Sequence, residues 1–269
     1  MLTCKEYTEL KKKELKKYIE EKGLKPCLVV IQVGDRPESN SYIRGKMIDC
    51  EEVGIECIVK KFPNDVTQKE LEVYILDVDY RPKVSGIILQ LPVPEHIDVK
   101  RIQRLIKQTK DVDGFGELSP FDPCTPKGVI DYLKFNNYEF EGKDALVIGR
   151  SDIVGKPLAR MLTDLNCTVT LAHSKTVGVY SKGQDSDIIF TCTNKIQHLT
   201  SSLVYNCPDV IDIGLGVGAD GKLHGNLEDH AVRFMREVFP DNICISGTGG
   251  VGLLTRLALL QNVVRATEM

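Results

Sequence analysis

Hydrophobic positions along the chain alternate between two patterns. Apolar residues at helical spacing over 6–21 give way to the unbroken run CLVVIQVG over 27–34, and the alternation repeats almost to the C-terminus. Helical periods interleaved with continuous apolar runs predict strands buried on both faces by helices, the order of an α/β protein with parallel sheets. In the first half the pattern predicts helices over 39–53 and 67–77 and strands over 57–60 and 84–92. Ser39 or Asn40 opens the first of these helices and Gly54 closes it. From 111 to 126 the segment DVDGFGELSPFDPCTP is dense in Gly, Pro and Asp, which marks a loop and a domain boundary. A helix over 126–135 then precedes a second series of strands in DALVIG, CTVTLA, SDIIFTC, DVIDIG and ICIS. The last segment, GGVGLLTRLALLQNVVRATEM, predicts a helix with Leu254, Leu257, Ala258, Leu260 and Val264 near one face.

Composition narrows this picture. A length of 269 residues suggests two domains or one large α/β unit, and 42% hydrophobic residues supply a sizeable core. With 35 Lys+Arg against 38 Asp+Glu, the chain lacks the basic excess of a nucleic-acid binder. No apolar run reaches the roughly 18 residues of a membrane span, and the N-terminus lacks the apolar centre of a signal peptide, so a cytoplasmic protein without a membrane partner is expected. Nine cysteines are scattered without a Cys-x-x-Cys pair and read as reduced thiols, Cys207 among them. The five histidines show no zinc spacing, so no metal is expected.

The segment DALVIGRSDIVGKPLARML reads as strand, turn and helix, with the turn running from Gly149 to Gly155 through Arg150, Ser151, Ile153 and Val154. Amides and the positive dipole end at a helix start favour an anion such as a pyrophosphate. The spacing departs from Gly-x-Gly-x-x-Gly, because Ser151 holds the second glycine position. The next strand ends in LAHSKT, without the carboxylate that would read the ribose hydroxyls of NAD. Arg150 and Ser174 suit a 2'-phosphate instead, which favours NADP. In a plainer reading Arg150 is a surface cation and Ser174 a turn residue. His173 reads as a turn residue rather than a catalyst, and Cys124 as a packed thiol.

A second constellation lies upstream. Tyr42 and Lys46, four residues apart on a helix, share a face and place a phenol and an amine toward one region. For an isolated pair of this kind the better reading is the plain one, a packed ring beside a lysine extending to water. Gln90 changes the balance, because an amide at the carboxyl end of an apolar strand needs a partner and stands where α/β sheets bind ligands. Asp113 lies in the loop KDVDGFG. Lysine, with an ordinary pKa of about 10.4, is a poor base at neutral pH, and partial burial with an amide partner is what would poise it for proton transfer.

On these residues the chain resembles the bifunctional methylenetetrahydrofolate dehydrogenase/methenyltetrahydrofolate cyclohydrolase family. The likeness runs through VGDRPESNSYIRGKMIDCEEVGI, GIILQLPVPEHI, KDVDGF, PCTPKG, GKDALVIGRSDIVGKPLARML, TVTLAHSKT, DVIDIG and GGVG, in the family's order. It implies a folate-binding catalytic α/β domain over 1–119, completed by a helix over 247–269, and a Rossmann-like NADP-binding domain over 120–246, with a cleft between them. It also implies a homodimer formed mainly through the nucleotide domain. The implied reactions are oxidation of 5,10-methylenetetrahydrofolate with NADP and hydrolysis of the methenyl product to 10-formyltetrahydrofolate. Lys46 would be the general acid/base, Tyr42 would orient the substrate and Lys46, Gln90 would tune Lys46, and Asp113 would grip the pterin. The chain departs from the family pattern in three places. ISGTGGVGLL stands where a proline-rich PVPGGVGP is common, the loop between Phe115 and Pro123 is short, and Asn226 replaces a common Asp. A catalytically weakened binding protein of the same fold is the alternative these departures raise. A dehydrogenase for an unrelated small metabolite would leave SYIRGK and PCTP without a role.

Overall fold

The computed structural model describes every residue except Glu117 and Cys207. The thiol reading of Cys207 therefore lies outside the described residues. The chain divides into two compact units, Glu6–Cys124 with Arg256–Met269 and Met1–Lys5 with Thr125–Thr255. The divisions at 124/125 and 255/256 fall inside helices, several residues beyond the expected boundaries at 119/120 and 246/247.

After α1 (Cys4–Lys22), the first unit is built on a parallel sheet in which β1 (Cys27–Val33) lies between β2 (Glu56–Phe62) and β3 (Gly86–Leu89). Alternate residues of β1 face opposite ways, and both faces are covered. Leu28 and Val30 pack with Ile43, Cys50 and Val53 of α2 (Pro37–Val53) and with Ala258, Leu259 and Val263 of the C-terminal helix Val251–Thr267. Val29 and Ile31 meet Leu71, Ile75 and Val78 of α3 (Gln68–Asp79), together with Ile102 of α4 (Val99–Leu105). Burial on both sides is why β1 reads as an uninterrupted apolar run.

Helix ends follow local chemistry. α2 begins two residues before the expected start, because Arg36 is extended and Pro37 occupies the first turn, where its missing N–H costs nothing. It closes at Gly54 as expected, with φ 85°. The Thr67 side chain and Glu70 form a reciprocal cap on α3. The pattern of the sequence did not predict α4, and β3 ends at Leu89, which leaves Gln90 just beyond the strand.

In the second unit, α5 (Cys124–Phe135) precedes a five-stranded parallel sheet. Its strands are β4 (Asp144–Ile148), β5 (Thr168–Ala172), β6 (Ile188–Thr191), β7 (Asp209–Asp212) and the last strand, Cys244–Ile245, in the order last strand, β7, β6, β4, β5. Because β5 and β6 flank β4 on opposite sides, the carboxyl end of β4 is the point at which strand order reverses. The helices are α6 (Gly155–Asp164), α7 (Val179–Gln184) and α8 (Asp229–Val238), of which the sequence pattern predicted only α6. A small antiparallel pair, β8 (Gly216–Val217) and β9 (Leu223–His224), was also not anticipated, because two-residue strands carry no period. The last strand is thus β10, and the C-terminal helix is α9. No disulfide joins any two of the eight described cysteines. Among the described residues no helix is long and apolar enough to cross a membrane.

Candidate functional site

Lys46 lies on α2, half-buried, and its Nζ donates to Gln90 Oε1 at 2.9 Å. Gln90 Nε2 donates to Leu91 O at 2.8 Å, and its backbone N–H continues the sheet by donating to Ile31 O at 2.8 Å. With its amide nitrogen engaged by the backbone, Gln90 has its oxygen directed at the amine. The partner demanded by an amide at this strand end is therefore Lys46. Tyr42 stands one turn earlier on α2 and is 43% exposed, so its ring is open to a ligand rather than packed in the core.

The loop after the first half is fixed by close approaches. Val112 wedges against Gly86, where a Cβ would come within 2.7 Å of its methyl groups. The Val112 carbonyl accepts from Asn262 Nδ2 at 2.9 Å and from Cys124 Sγ at 3.3 Å, so Cys124 is a buried, packed thiol. Gly114 has φ 72° and leaves no room for a side chain beside the backbone of Asp122. Asp113 is held on this turn. Desolvation pushes its carboxyl up to about 6, the nearby Lys46 charge draws it down, and Asp111 pushes it up. A folded pKa above the ordinary 3.8 means that the fold favours the protonated acid. Its contribution to stability is complete below the unfolded value and is lost as pH rises through about 6. Asp113→Asn is expected to raise the unfolding temperature more near neutral pH than near pH 4, as thermal melts at both conditions would register; equal shifts would contradict this environment for Asp113.

Beneath the same helix lies a buried ionic group. Asp49 Oδ1 accepts from Lys12 Nζ at 2.5 Å, and Arg256 Nε lies 2.6 Å from Asp49 Oδ2 without hydrogen-bond alignment. Glu52 accepts from Lys12 at 2.7 Å. The Arg256 guanidinium occupies the space that a Cβ on Gly45 would fill, 2.1 Å from that position. Gly45 therefore leaves room for the Arg256 guanidinium against α2, next to Lys46.

The second unit holds a cavity of about 750 Å³ at the carboxyl ends of β4, β5 and β6, the strand-order reversal where open sheets bind ligands. Gly149, Arg150, Ser151, Ile153, Val154 and Ser174 all line it. Gly155 does not. It opens α6, and a Cβ there would fall 2.0 Å from Gly149 O, so its role is close packing of the turn on itself. Gly149, at φ 127°, passes against the Cys192 carbonyl, where only glycine fits. Ser151 Oγ accepts from the amides of Val154 and Gly155 at 3.2 and 3.3 Å, so the serine at the second glycine position ties the turn to the start of α6. Arg150 and Ser174 are exposed, and among the described residues no carboxylate pairs with Arg150. A glycine-lined turn, a helix start and an uncommitted guanidinium together fit a phosphorylated dinucleotide.

Several cavity residues escaped the sequence reading. His173 lines the cavity while its Nδ1 also accepts from the Lys175 amide at 3.1 Å, so the turn reading describes only part of its position. Thr193, Lys195 and His198 follow the carboxyl end of β6, and the rule that ligands gather beyond strand ends would have flagged them. Burial holds the His198 imidazole below its ordinary pKa, assisted by the Lys195 charge. Burial pushes the Cys192 thiol up to about 12, which keeps it neutral on the cavity wall. Asn226, one of the departures, is fully buried. Its Nδ2 donates to Thr193 O and Lys195 O at 3.1 and 2.5 Å, and its Oδ1 accepts from Thr193 N at 2.8 Å. A carboxylate here would face two carbonyl oxygens, so the amide is required.

A lysine–amide pair at the strand ends of one parallel sheet, with a dinucleotide-type cavity at the strand ends of another, defines a two-unit α/β nucleotide-dependent enzyme. Residues 2–113 match the tetrahydrofolate dehydrogenase/cyclohydrolase catalytic domain, and residues 123–269 match the NAD(P)-binding domain of the same proteins. The chain belongs to the tetrahydrofolate dehydrogenase/cyclohydrolase family. It is 37% identical over 265 residues to the bifunctional protein FolD of Nitrosomonas europaea, covering 95% of this chain and 88% of that one. The crystal structure of the bifunctional FolD methylenetetrahydrofolate dehydrogenase/cyclohydrolase from Campylobacter jejuni is similar, with a TM-score of 0.91, 35% identity and coverage of 99% and 97%. The Trypanosoma brucei enzyme, solved with NADP and an inhibitor, has a TM-score of 0.88 at 26% identity, covering 100% of this chain and 97% of that one.

Proposed function

We propose that this chain oxidises 5,10-methylenetetrahydrofolate to 5,10-methenyltetrahydrofolate with NADP and hydrolyses that product to 10-formyltetrahydrofolate. The observation that carries this reading is the Lys46–Gln90 hydrogen bond of 2.9 Å on a family-matching catalytic unit. The bound nicotinamide supplies the hydride acceptor. In oxidation the methylene carbon loses hydride as a folate nitrogen lone pair forms the C=N bond, so positioning rather than acid/base chemistry is the main demand. Hydrolysis differs. Water adds to the methenyl carbon, the carbon–N5 bond breaks, N5 gains a proton, and one proton is released overall. Lys46 is assigned the proton transfers of this step. Gln90 holds the amine in place, Tyr42 orients the substrate and Lys46, and Asp113 grips the pterin. Catalysis is assigned to 1–119 with 247–269, and dinucleotide binding to 120–246.

Purified chain given 5,10-methylenetetrahydrofolate and NADP is expected to reduce the nicotinamide, with a transient methenyl absorbance. Protection from heat by both ligands without turnover would instead mark a binding protein of the same fold. Arg150 and Ser174 are assigned the 2'-phosphate. Arg150→Leu is expected to raise the KM for NADP by about 10- to 100-fold, the loss of a charge-assisted hydrogen bond, while NAD use changes little. Initial rates with both nicotinamide cofactors check this, and equal or better use of NAD by the unaltered chain would remove these roles. The same reading assigns a homodimer formed through the dinucleotide unit and a cytoplasmic location; sedimentation of the purified chain measures the first.

A further inference from the structure

A second cavity in the dinucleotide unit, about 360 Å³, shares no lining residue with the first and sits at the carboxyl ends of β7 and β10. One wall is a single face of α8: Asp229, Val232, Arg233 and Arg236 follow the i, i+3, i+4, i+7 spacing that aligns side chains. The same cavity takes in Ser246 and Thr248, two positions at which the chain departs from a proline-rich segment. Proline offers no hydrogen-bond donor, whereas serine and threonine each add a hydroxyl.

The charges there are unequal in what they have left to bind. Neither Arg233 nor Arg236 forms an ion pair with any carboxylate of the described residues, although Asp229 lines the same wall. Among the described residues Arg233 has no hydrogen-bond partner, and Arg236 meets only neutral groups, Ser246 Oγ at 3.5 Å from its Nη2, the outer limit of a hydrogen bond, and the Cys244 thiol. The other carboxylate of the lining, Asp212, is already satisfied. Its oxygens accept from Thr191 Oγ1 at 2.6 Å and from the Asn226 and Leu227 amides at 3.0 and 3.1 Å. His224 is engaged by Asp220 and Gln197. The donors left for a ligand are thus the Arg233 guanidinium, the remaining N–H groups of Arg236 and the hydroxyls of Ser246 and Thr248.

We propose that this cavity is an oxyanion site, taking a ligand that carries a phosphoryl or carboxylate group, separate from the dinucleotide site. Guanidinium groups hold such ligands through several directed N–H donors, and two of them one helical turn apart present donors to more than one oxygen. Asp229 on the same wall repels anions near it, so the ligand's oxygens are held at the arginine end of the cavity.

The test uses the full chain saturated with NADP, so that the first cavity is filled, titrated calorimetrically with inorganic phosphate and, in a separate arm, with malonate. Binding of at least one anion is expected, and the arm that binds more tightly identifies the phosphoryl or the carboxylate class. Arg233→Gln and Arg236→Gln are each expected to weaken it about tenfold or more. Both side chains are exposed, and unchanged NADP affinity in the variants establishes that the unit is folded. No binding of either anion to the saturated chain, or wild-type affinity in the double variant, overturns the proposal.

Discussion

Lys46→Met is expected to slow hydrolysis of 5,10-methenyltetrahydrofolate by about 10²- to 10⁴-fold, the usual range for losing a positioned proton-transfer group. Methionine preserves most of the length and the apolar stem of lysine but removes its amine, and with it the donor to Gln90 Oε1. Oxidation of the methylene substrate should survive far better, because expulsion of hydride by a neighbouring lone pair requires no proton relay. The contrast between the two rates is the informative quantity. It is read by following the decay of methenyl absorbance and the appearance of NADPH with the same preparation. Undiminished hydrolysis by a folded variant would remove Lys46 from the chemistry, and equal loss of both activities would reduce it to a binding residue.

Asp49→Ala is expected to produce the largest loss of stability. Asp49 is 4% exposed and lies against both Lys12 and Arg256, so alanine leaves two cations without their shared carboxylate. Removing one partner of a buried ion pair costs about 3–5 kcal/mol. The lower end applies here, because Lys12 retains Glu52, which is itself largely open to water. The midpoint of urea unfolding measures the change, and a loss under about 1 kcal/mol would mean that solvent screens this group as it does a surface pair. The effect should extend to catalysis, because Asp49 and the Gly45–Arg256 contact flank Lys46 on α2.

The unequal legibility of the elements has a physical basis. Strands buried on both faces, such as 27–33, are continuous apolar runs, and β4 with its glycine turn announces itself the same way. α4 and α7 were missed because they are short and lack a sustained apolar face in sequence. α8 is as long as α6 and buries Ala231, Val232 and Met235 at helical spacing, a stripe that the sequence does carry. Gln90 was legible because an amide at the end of an apolar run has to find a partner. That its partner is Lys46, 44 positions away, depends on how α2 lies along β3.

By itself the sequence determined the α/β alternation, the glycine turn at 149–155 and the residue types able to move a proton or hold a phosphate. These properties follow from local period, backbone permissiveness and side-chain chemistry, each confined to a few neighbouring residues. Only the tertiary structure decided that Arg256 fills the gap above Gly45, that Asn226 must be an amide between two carbonyls, and that Arg233 and Arg236 share a cavity wall with Ser246 and Thr248. Each of those outcomes joins segments distant along the chain, and which of them meet is set by the packing of whole helices and sheets, to which no local pattern has access.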